Sequence, residues 1–330
     1  MNKTILFCLA VVSLAVLRHP ATAQSPHGMT ESGYTPQRVF NTGEKKFSDF
    51  EAMLADLARA DVIFVGEQHD DPATHRLERA ILEGLLRRRG ASVVVVLEMF
   101  ERDVQPVLDD YLAGKISEEE FLKNSRPWPH YATDYRPLVE FARAHGWRVV
   151  AGNVPRRYAS QVAKGGLGEV EKLPAAERAF VAKQFNCPMD DYYKRFAETM
   201  SSHPGASAHG AAVGNGKADS QAEEKENRAI IEKFYLAQCV KDETMGESVA
   251  SIHLNSSTPG PLIVHFNGAF HSDYHQGTAA RAQQRLPKAG VKVISIIPAE
   301  NLDSIKADDD LKRADYLIYT LKPKTVKSEK

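Results

Sequence analysis

Two copies of a short pattern, Gly-x-x-His, stand far apart in the chain, and each closes an apolar run. The first is Gly66-Glu67-Gln68-His69 after Val62-Ile63-Phe64-Val65; the second is Gly268-Ala269-Phe270-His271 after Leu262-Ile263-Val264-His265-Phe266. Functional groups in open α/β sheets gather at the carboxyl ends of strands, so two imidazoles there can face one crevice. Alternation along an extended chain puts Glu67 and His69 on one face. The same holds for His265, Asn267 and His271 if the geometry persists through Gly268. The run Val93 to Leu97 delivers Glu98 to a third strand end. Glu67, His69, Glu98 and His271 thus form a donor set suited to a divalent ion, Mn, Zn or Fe. In a hydrolase Glu67 or Glu98 would activate water. The same residues permit acid–base work without metal, because a carboxylate can fix a histidine tautomer and raise its pKa. Spacing does not choose between these chemistries.

Beyond the second motif, Ser272-Asp273-Tyr274-His275 brings a phenol and another imidazole towards the same rim. A tyrosine oxygen can ligate ferric haem, with His271, His275 or Arg156 as the neighbour that favours the phenolate. Trp128-Pro129-His130-Tyr131 and Tyr135 form an aromatic group suited either to lining a pocket for a flat ligand or to anchoring a loop. No Cys-x-x-Cys-His, Gly-x-Ser-x-Gly elbow or phosphate-binding glycine loop is present.

The elements that must position these groups alternate. Arg38 to Phe40 and Lys45 to Phe47 read as an opening hairpin. Ser48-Asp49-Phe50-Glu51 reads as a capping box for a helix, and Asp71-Pro72 starts a helix that stops at Gly90. Val93 to Leu97 is a β-branched run of the kind covered on both faces, and Trp147 to Ala151 follows another helix. Leu262 to Phe266, Val291 to Ile297 and Tyr316 to Tyr319 resume the pattern. Strand–helix alternation predicts an α/β fold with a mainly parallel β-sheet flanked by helices. Residues 36–166 and 255–321 form its two parts. Between them, 167–254 reads as a helical insertion over the carboxyl strand ends, with helices around Ala175 to Phe185, Asp191 to Met200 and Asn227 to Ile252. Residues 201–226 read as a disordered loop and 322–330 as a flexible tail.

The first residues have the form of a secretory leader: Lys3, an apolar run from Ile5 to Leu17, and Ala21-Thr22-Ala23 before Gln24, which places cleavage after Ala23. That run is short for a membrane span, and no later one is longer. The protein is therefore expected to be periplasmic or secreted. Cys8 lies within the apolar run, so a lipid anchor is not supported. Cys187 and Cys239 remain and can pair in an oxidising compartment. The whole chain carries 42 basic and 43 acidic residues, a balance without a nucleic-acid footprint.

These residues resemble the ChaN family of haem-binding uptake proteins, within a group that includes Tiki proteases and erythromycin esterases. The matches are Val65 to Asp70, Leu97-Glu98-Met99-Phe100, Trp128 to Leu138, Asn153-Val154-Pro155-Arg156, Ala237-Gln238, Asp242-Glu243-Thr244-Met245 and Gly268 to His271. The resemblance implies haem bound between partners in a homodimer that serves an outer-membrane haem uptake system. Tyr274, His271, His275, Arg156 and Tyr131 would then contact haem. Kinship with Tiki proteins implies instead that Glu67, His69, Glu98 and His271 occupy the positions of a metal-dependent hydrolase site. Most ChaN-like relatives are lipoproteins, and this chain departs from them in lacking a cysteine at the cleavage point.

Overall fold

In the computed structural model, residues 34–202, 221–257 and 259–322 are described. The leader, most of segment 201–226 and all of the tail beyond Lys322 lie outside them. Eight strands form one sheet: β1 Gln37–Asn41, β2 Lys46–Ser48, β3 Val62–Glu67, β4 Val93–Glu101, β5 Arg148–Asn153, β6 Leu262–Gly268, β7 Val291–Ala299 and β8 Tyr316–Leu321. Their order is β2-β1-β8-β7-β3-β6-β4-β5. β1 runs antiparallel to β2 and β8, and every other neighbouring pair is parallel. The fold is therefore α/β with a mainly parallel sheet, as the alternation predicts.

The helices are α1 Phe50–Leu57, α2 Pro72–Arg89, α3 Gln105–Leu112, α4 Glu118–Ser125, α5 Arg136–Ala144, α6 Arg156–Gly165, α7 Gly168–Glu171, α8 Ala175–Arg178, α9 Asp191–Ser202, α10 Gln221–Leu254 and α11 Gly277–Arg285. Asp71 caps α2 through its carboxylate, 2.9 Å from the Ala73 amide, with Pro72 at the first position. The cap of α1 is Asp49, one residue beyond the expected Ser48: its carboxylate accepts from the Ala52 amide at 2.6 Å, while the Ser48 hydroxyl turns to the Asp49 carbonyl.

Period-two alternation divides the core between the sheet's faces. Ile63, Val65, Val95, Leu97, Val264 and Phe266 pack under α1, α2 and α5 with Leu54, Ile81, Leu85 and Leu138. Phe64, Val94, Val96, Ile263 and Val293 pack on the opposite face against Val249 and Ile252 of α10 and Ala279 and Ala282 of α11. The later turns of α10 are thus part of the sheet's covering layer.

Two expectations are corrected. β4 does not end at Glu98 but runs to Glu101, with its register against β5 shifting between Leu97 and Glu101. Such an irregularity re-aims side chains, and Glu98 sits inside it. The segment Ala175 to Phe185 keeps only the turn α8, although its periodicity suggested a helix. The Arg178 guanidinium takes up the Val181, Ala182 and Lys183 carbonyls. The Ala182, Lys183 and Asn186 amides go instead to Thr244, Glu247 and Glu243 on α10. Tertiary partners have replaced the helical ones. The segment is further tied to α10 by a disulfide between Cys187 and Cys239, with Cα atoms 5.8 Å apart. Among the described residues no helix is long and apolar enough to cross a membrane.

Helices α10 and α11 pack closely at Gly246, where an added Cβ would lie 2.6 Å from Arg281 Cβ and 3.0 Å from the Ala282 backbone nitrogen. Alanine there gains about 1 kcal/mol of helix propensity. It also overpacks a backbone contact that cannot swing aside, which typically costs about 1–3 kcal/mol. Gly246→Ala should therefore lower stability in urea unfolding by about 1 kcal/mol, and Gly246→Val by more.

Candidate functional site

Strands β3 and β6 are parallel neighbours in a register that sets Glu67 opposite Gly268, so the two Gly-x-x-His patterns leave the sheet side by side. Glycine is required at both. A Cβ on Gly66 would stand 2.9 Å from Ala269 Cα, and one on Gly268 would stand 2.7 Å from His69 Nε2 and 3.8 Å from Glu98 Oε2. The absence of these side chains lets the turn after β6 lie on β3 and lets the His69 ring lie against β6.

Each histidine is oriented through Nδ1. His69 Nδ1 lies 2.6 Å from Glu67 Oε1, and that oxygen also accepts from the Tyr135 hydroxyl at 2.9 Å. His271 Nδ1 lies 2.6 Å from Asp242 Oδ1 on α10. Asp242 is fixed in turn by Thr278 (2.8 Å) and Tyr192 (2.7 Å). Glu98 stands between the imidazoles, its Oε2 accepting the Gly268 amide at 2.8 Å and its Oε1 3.3 Å from His271 Nε2. Glu67, Glu98, Asp242 and His271 are all buried, whereas the His69 side chain is 45% exposed. His69 Nε2 and the Glu98 carboxylate therefore both flank Gly268, Glu98 also reaches His271 Nε2, and a carboxylate stands behind each ring.

Electrostatics follow from this arrangement. Burial opposes charge on His271, but Glu98 and Asp242 outweigh it and hold the imidazole up at about 10. Burial likewise opposes the Glu98 carboxylate, and the His271 charge overcomes that penalty, keeping it well below the usual carboxylate range. Burial lowers His69 as well, against a larger combined pull from Glu67 and Glu98 that leaves it raised.

An open pocket of about 420 Å³ lies over these groups, bounded by His69, His271, Phe270, Tyr274, Arg195 and Arg313. Tyr274 and His275 both have left-handed backbone, φ 63° and 54°, which is uncommon away from glycine and gathers at functional sites. The Tyr274 amide bonds to the Arg313 carbonyl at 2.6 Å, its ring is 39% exposed, and the Arg195 guanidinium lies 4.7 Å from the ring centre.

The residues singled out from the sequence do not all meet. Glu67, His69, Glu98, His271 and Tyr274 do, and Trp128 and Tyr135 join them, Trp128 with its ring 5.2 Å from that of His69. His275 is exposed beside Asp315. Tyr131 does not reach the pocket, because its ring is drawn into the core between Phe100 and Phe121. Arg156 does not reach it either, since it opens α6 with its amide on Glu101. His265 does not reach the pocket: it is buried on the α10 face of the sheet beside Phe64, with Nδ1 on the Val96 carbonyl, and burial pushes it down to about 4. The extended geometry does not persist, since residues 269–271 form a 3₁₀ turn. Sequence reasoning gave no role to Asp242, Tyr192, Thr278 or Arg195. Asp242 carried a signal all the same, as an acid set among the apolar positions Val240, Met245 and Val249 of α10.

A family model described as haem-binding uptake, Tiki superfamily, ChaN matches residues 53–282. The chain belongs to this family. Among solved structures, ChaN of Campylobacter jejuni, described for cofacial haem binding, is 18% identical with a TM-score of 0.60, covering 87% of this chain and 97% of that one. A mutant erythromycin esterase in its open conformation is 13% identical with a TM-score of 0.44, covering 84% and 82%. A Bacillus cereus protein is 15% identical with a TM-score of 0.43, covering 82% and 90%. No curated protein sequence matches. At these identities the likeness is one of fold.

The raised pKa of His271 has a consequence for stability. Its folded value, about 10, stands above the ordinary imidazole value, so its contribution is complete below about pH 6.5 and is lost as pH rises towards 10. Chelator-treated protein should lose of the order of a few kcal/mol between those limits. In His271→Gln the slope of unfolding free energy against pH over that window should flatten.

Proposed function

We propose that this chain is a haem-binding protein of bacterial haem or iron acquisition, with Tyr274 as the residue that meets the iron. The observation that carries the reading is the presentation of Tyr274. Two successive left-handed residues turn its phenol out at the mouth of a pocket walled by Phe270, Arg195 and Arg313. The donor chemistry fits, since a tyrosine oxygen is an established ligand of ferric haem. A guanidinium beside the ring complements either the anionic oxygen formed on ligation or a haem carboxylate. Bound haem would supply the iron that Tyr274 meets, while this chain's residues orient it and cover one face.

Family membership supports the reading, as does the cofacial binding described for the Campylobacter jejuni relative. Carried to this chain, that arrangement brings the Tyr274 rims of two copies together in a homodimer. The leader ending near Ala23 and the Cys187–Cys239 disulfide support action in the periplasm or outside the cell.

A second reading, a divalent-metal hydrolase, is favoured by a separate observation: Glu98 lies between two imidazoles at adjacent strand ends, each ring backed by a carboxylate on Nδ1. Metal-bound histidines characteristically carry such partners. In this arrangement Glu67 orients His69 rather than serving as a ligand on that side. A bound divalent ion would supply Lewis acidity for activating water.

Haemin titration of the purified protein should give a saturable Soret shift. Affinity should fall at least about tenfold in Tyr274→Phe, close to 1.4 kcal/mol. An unchanged titration in that variant would assign the haem elsewhere. For the hydrolase reading, protein purified without chelator should cleave peptide or ester substrates only with divalent metal, and Glu98→Gln should abolish the turnover. Failure to find any metal-dependent turnover in such a screen counts against it.

A further inference from the structure

Behind the pocket, on the α2 side of β3, lies a second group of donors that neither reading uses. His75 and Glu78, one turn apart on α2, meet the far side of Glu67. His75 Nδ1 is 2.9 Å from Glu78 Oε2 and 3.9 Å from Glu67 Oε2. One donor atom from each of the three residues lies within 4.8 Å of the others. All three side chains are buried, Glu78 completely.

Two buried carboxylates side by side need a shared proton or a positive partner. Among the described residues neither Glu67 nor Glu78 is bonded to an arginine or lysine; their partners are His69, His75 and Tyr135. Asp134, whose Oδ2 lies 3.7 Å from His75 Nε2, adds further negative charge. Glu67 Oε2 and Glu78 Oε1 are both buried without a hydrogen-bond partner. Natural structures rarely leave such oxygens unsatisfied, and a bound ion is one of the recognised reasons for it.

The remaining nitrogen of His75 is also arranged as a metal-bound imidazole requires. Nε2 lies 3.1 Å from the His69 carbonyl, so with a proton on Nε2 donating there a bound ion would meet the Nδ1 lone pair on the side of the two carboxylates. Tyr135, whose hydroxyl holds Glu67 Oε1, also sets its ring edge-on to His75 at 5.2 Å.

We propose that Glu67, His75 and Glu78 form a buried cation site behind the pocket, taking a divalent ion that accepts two carboxylates and one imidazole, such as Mn2+ or Zn2+. Glu67 then joins two layers. Its Oε2 meets the ion while its Oε1 holds His69, so the buried ion sets the orientation of an imidazole in the pocket.

The test compares the wild type with Glu78→Gln and His271→Ala. Each is produced in medium supplemented with Mn2+ or Zn2+, purified without chelator, dialysed and analysed for bound metal. The wild type should carry at least about one ion per chain, His271→Ala should keep about one, and Glu78→Gln should lose it by tenfold or more. Fewer than about 0.1 ion per chain in the wild type in both media overturns the proposal, and means that the two carboxylates are neutralised by a proton instead. Retention in Glu78→Gln with loss in His271→Ala also overturns it, by assigning the ion to the pocket. Should Glu78→Gln fail to fold, Co2+-loaded His271→Ala decides. A protein-bound cobalt absorption band is expected, and a spectrum identical to aqueous Co2+ overturns the site. Neither outcome depends on the Soret titration, which reads Tyr274.

Discussion

The site is organised around a buried positive charge, the His271 imidazolium held between Glu98 and Asp242. Removing either acid from such an arrangement strands charge in the interior, at a cost of about 3–5 kcal/mol. Three elements must therefore arrive together: β4 with Glu98, α10 with Asp242, and the turn after β6 with His271. Their meeting also explains the polar residues buried nearby. Thr278 at the start of α11 and Tyr192 on α9 satisfy the remaining valences of Asp242 and thereby tie two more helices to the same point.

Close backbone approach is the geometric condition for that meeting. Parallel pairing of β3 with β6 carries the two motifs to the same level, but level alone leaves the side chains too far apart for short contacts. Gly66 and Gly268 remove the two Cβ atoms that would hold the turn and the His69 ring away. The irregularity in β4 does the third part of the work, letting Glu98 accept the Gly268 amide while the strand continues to Glu101. The pattern Gly-x-x-His thus has a physical reading. The glycine makes room, the strand end supplies direction, and the histidine crosses to the neighbouring strand's territory.

Much of this was legible from period and punctuation. The apolar runs ending at Gly66 and Gly268 located two strand ends, the β-branched run before Glu98 located β4 but not its end, and Asp71-Pro72 and Gly90 bounded α2. What could not be read were partners brought together by tertiary contact. Asp242 stands inside a helix whose pattern marks it only as an acid in an apolar stripe, and its role depends on α10 crossing the sheet beside β6. Tyr131 and Tyr135 share one short segment, yet one enters the core and the other bonds Glu67. Their four-residue spacing fixes neither outcome, because both rings are buried and the turn ahead of α5 sends them to different partners. His265 shows the converse. Its alternation with His271 holds only while the chain stays extended, and the 3₁₀ turn after Gly268 ends that.

The rim and the buried acids follow separate chemical logic, although they share one opening. Tyr274 is exposed, its backbone fixed by the Arg313 carbonyl and its ring flanked by Arg195, and none of the hydrogen bonds to Glu98 or Asp242 passes through it. Glu98, His271 and Asp242 are bonded among themselves without any flat ligand above them. A fold arranged in this way can change its occupant at the rim while keeping the charged interior, because interior charges are costly to dismantle and rim residues are cheap to exchange. In such an architecture function is set by what stands at its mouth.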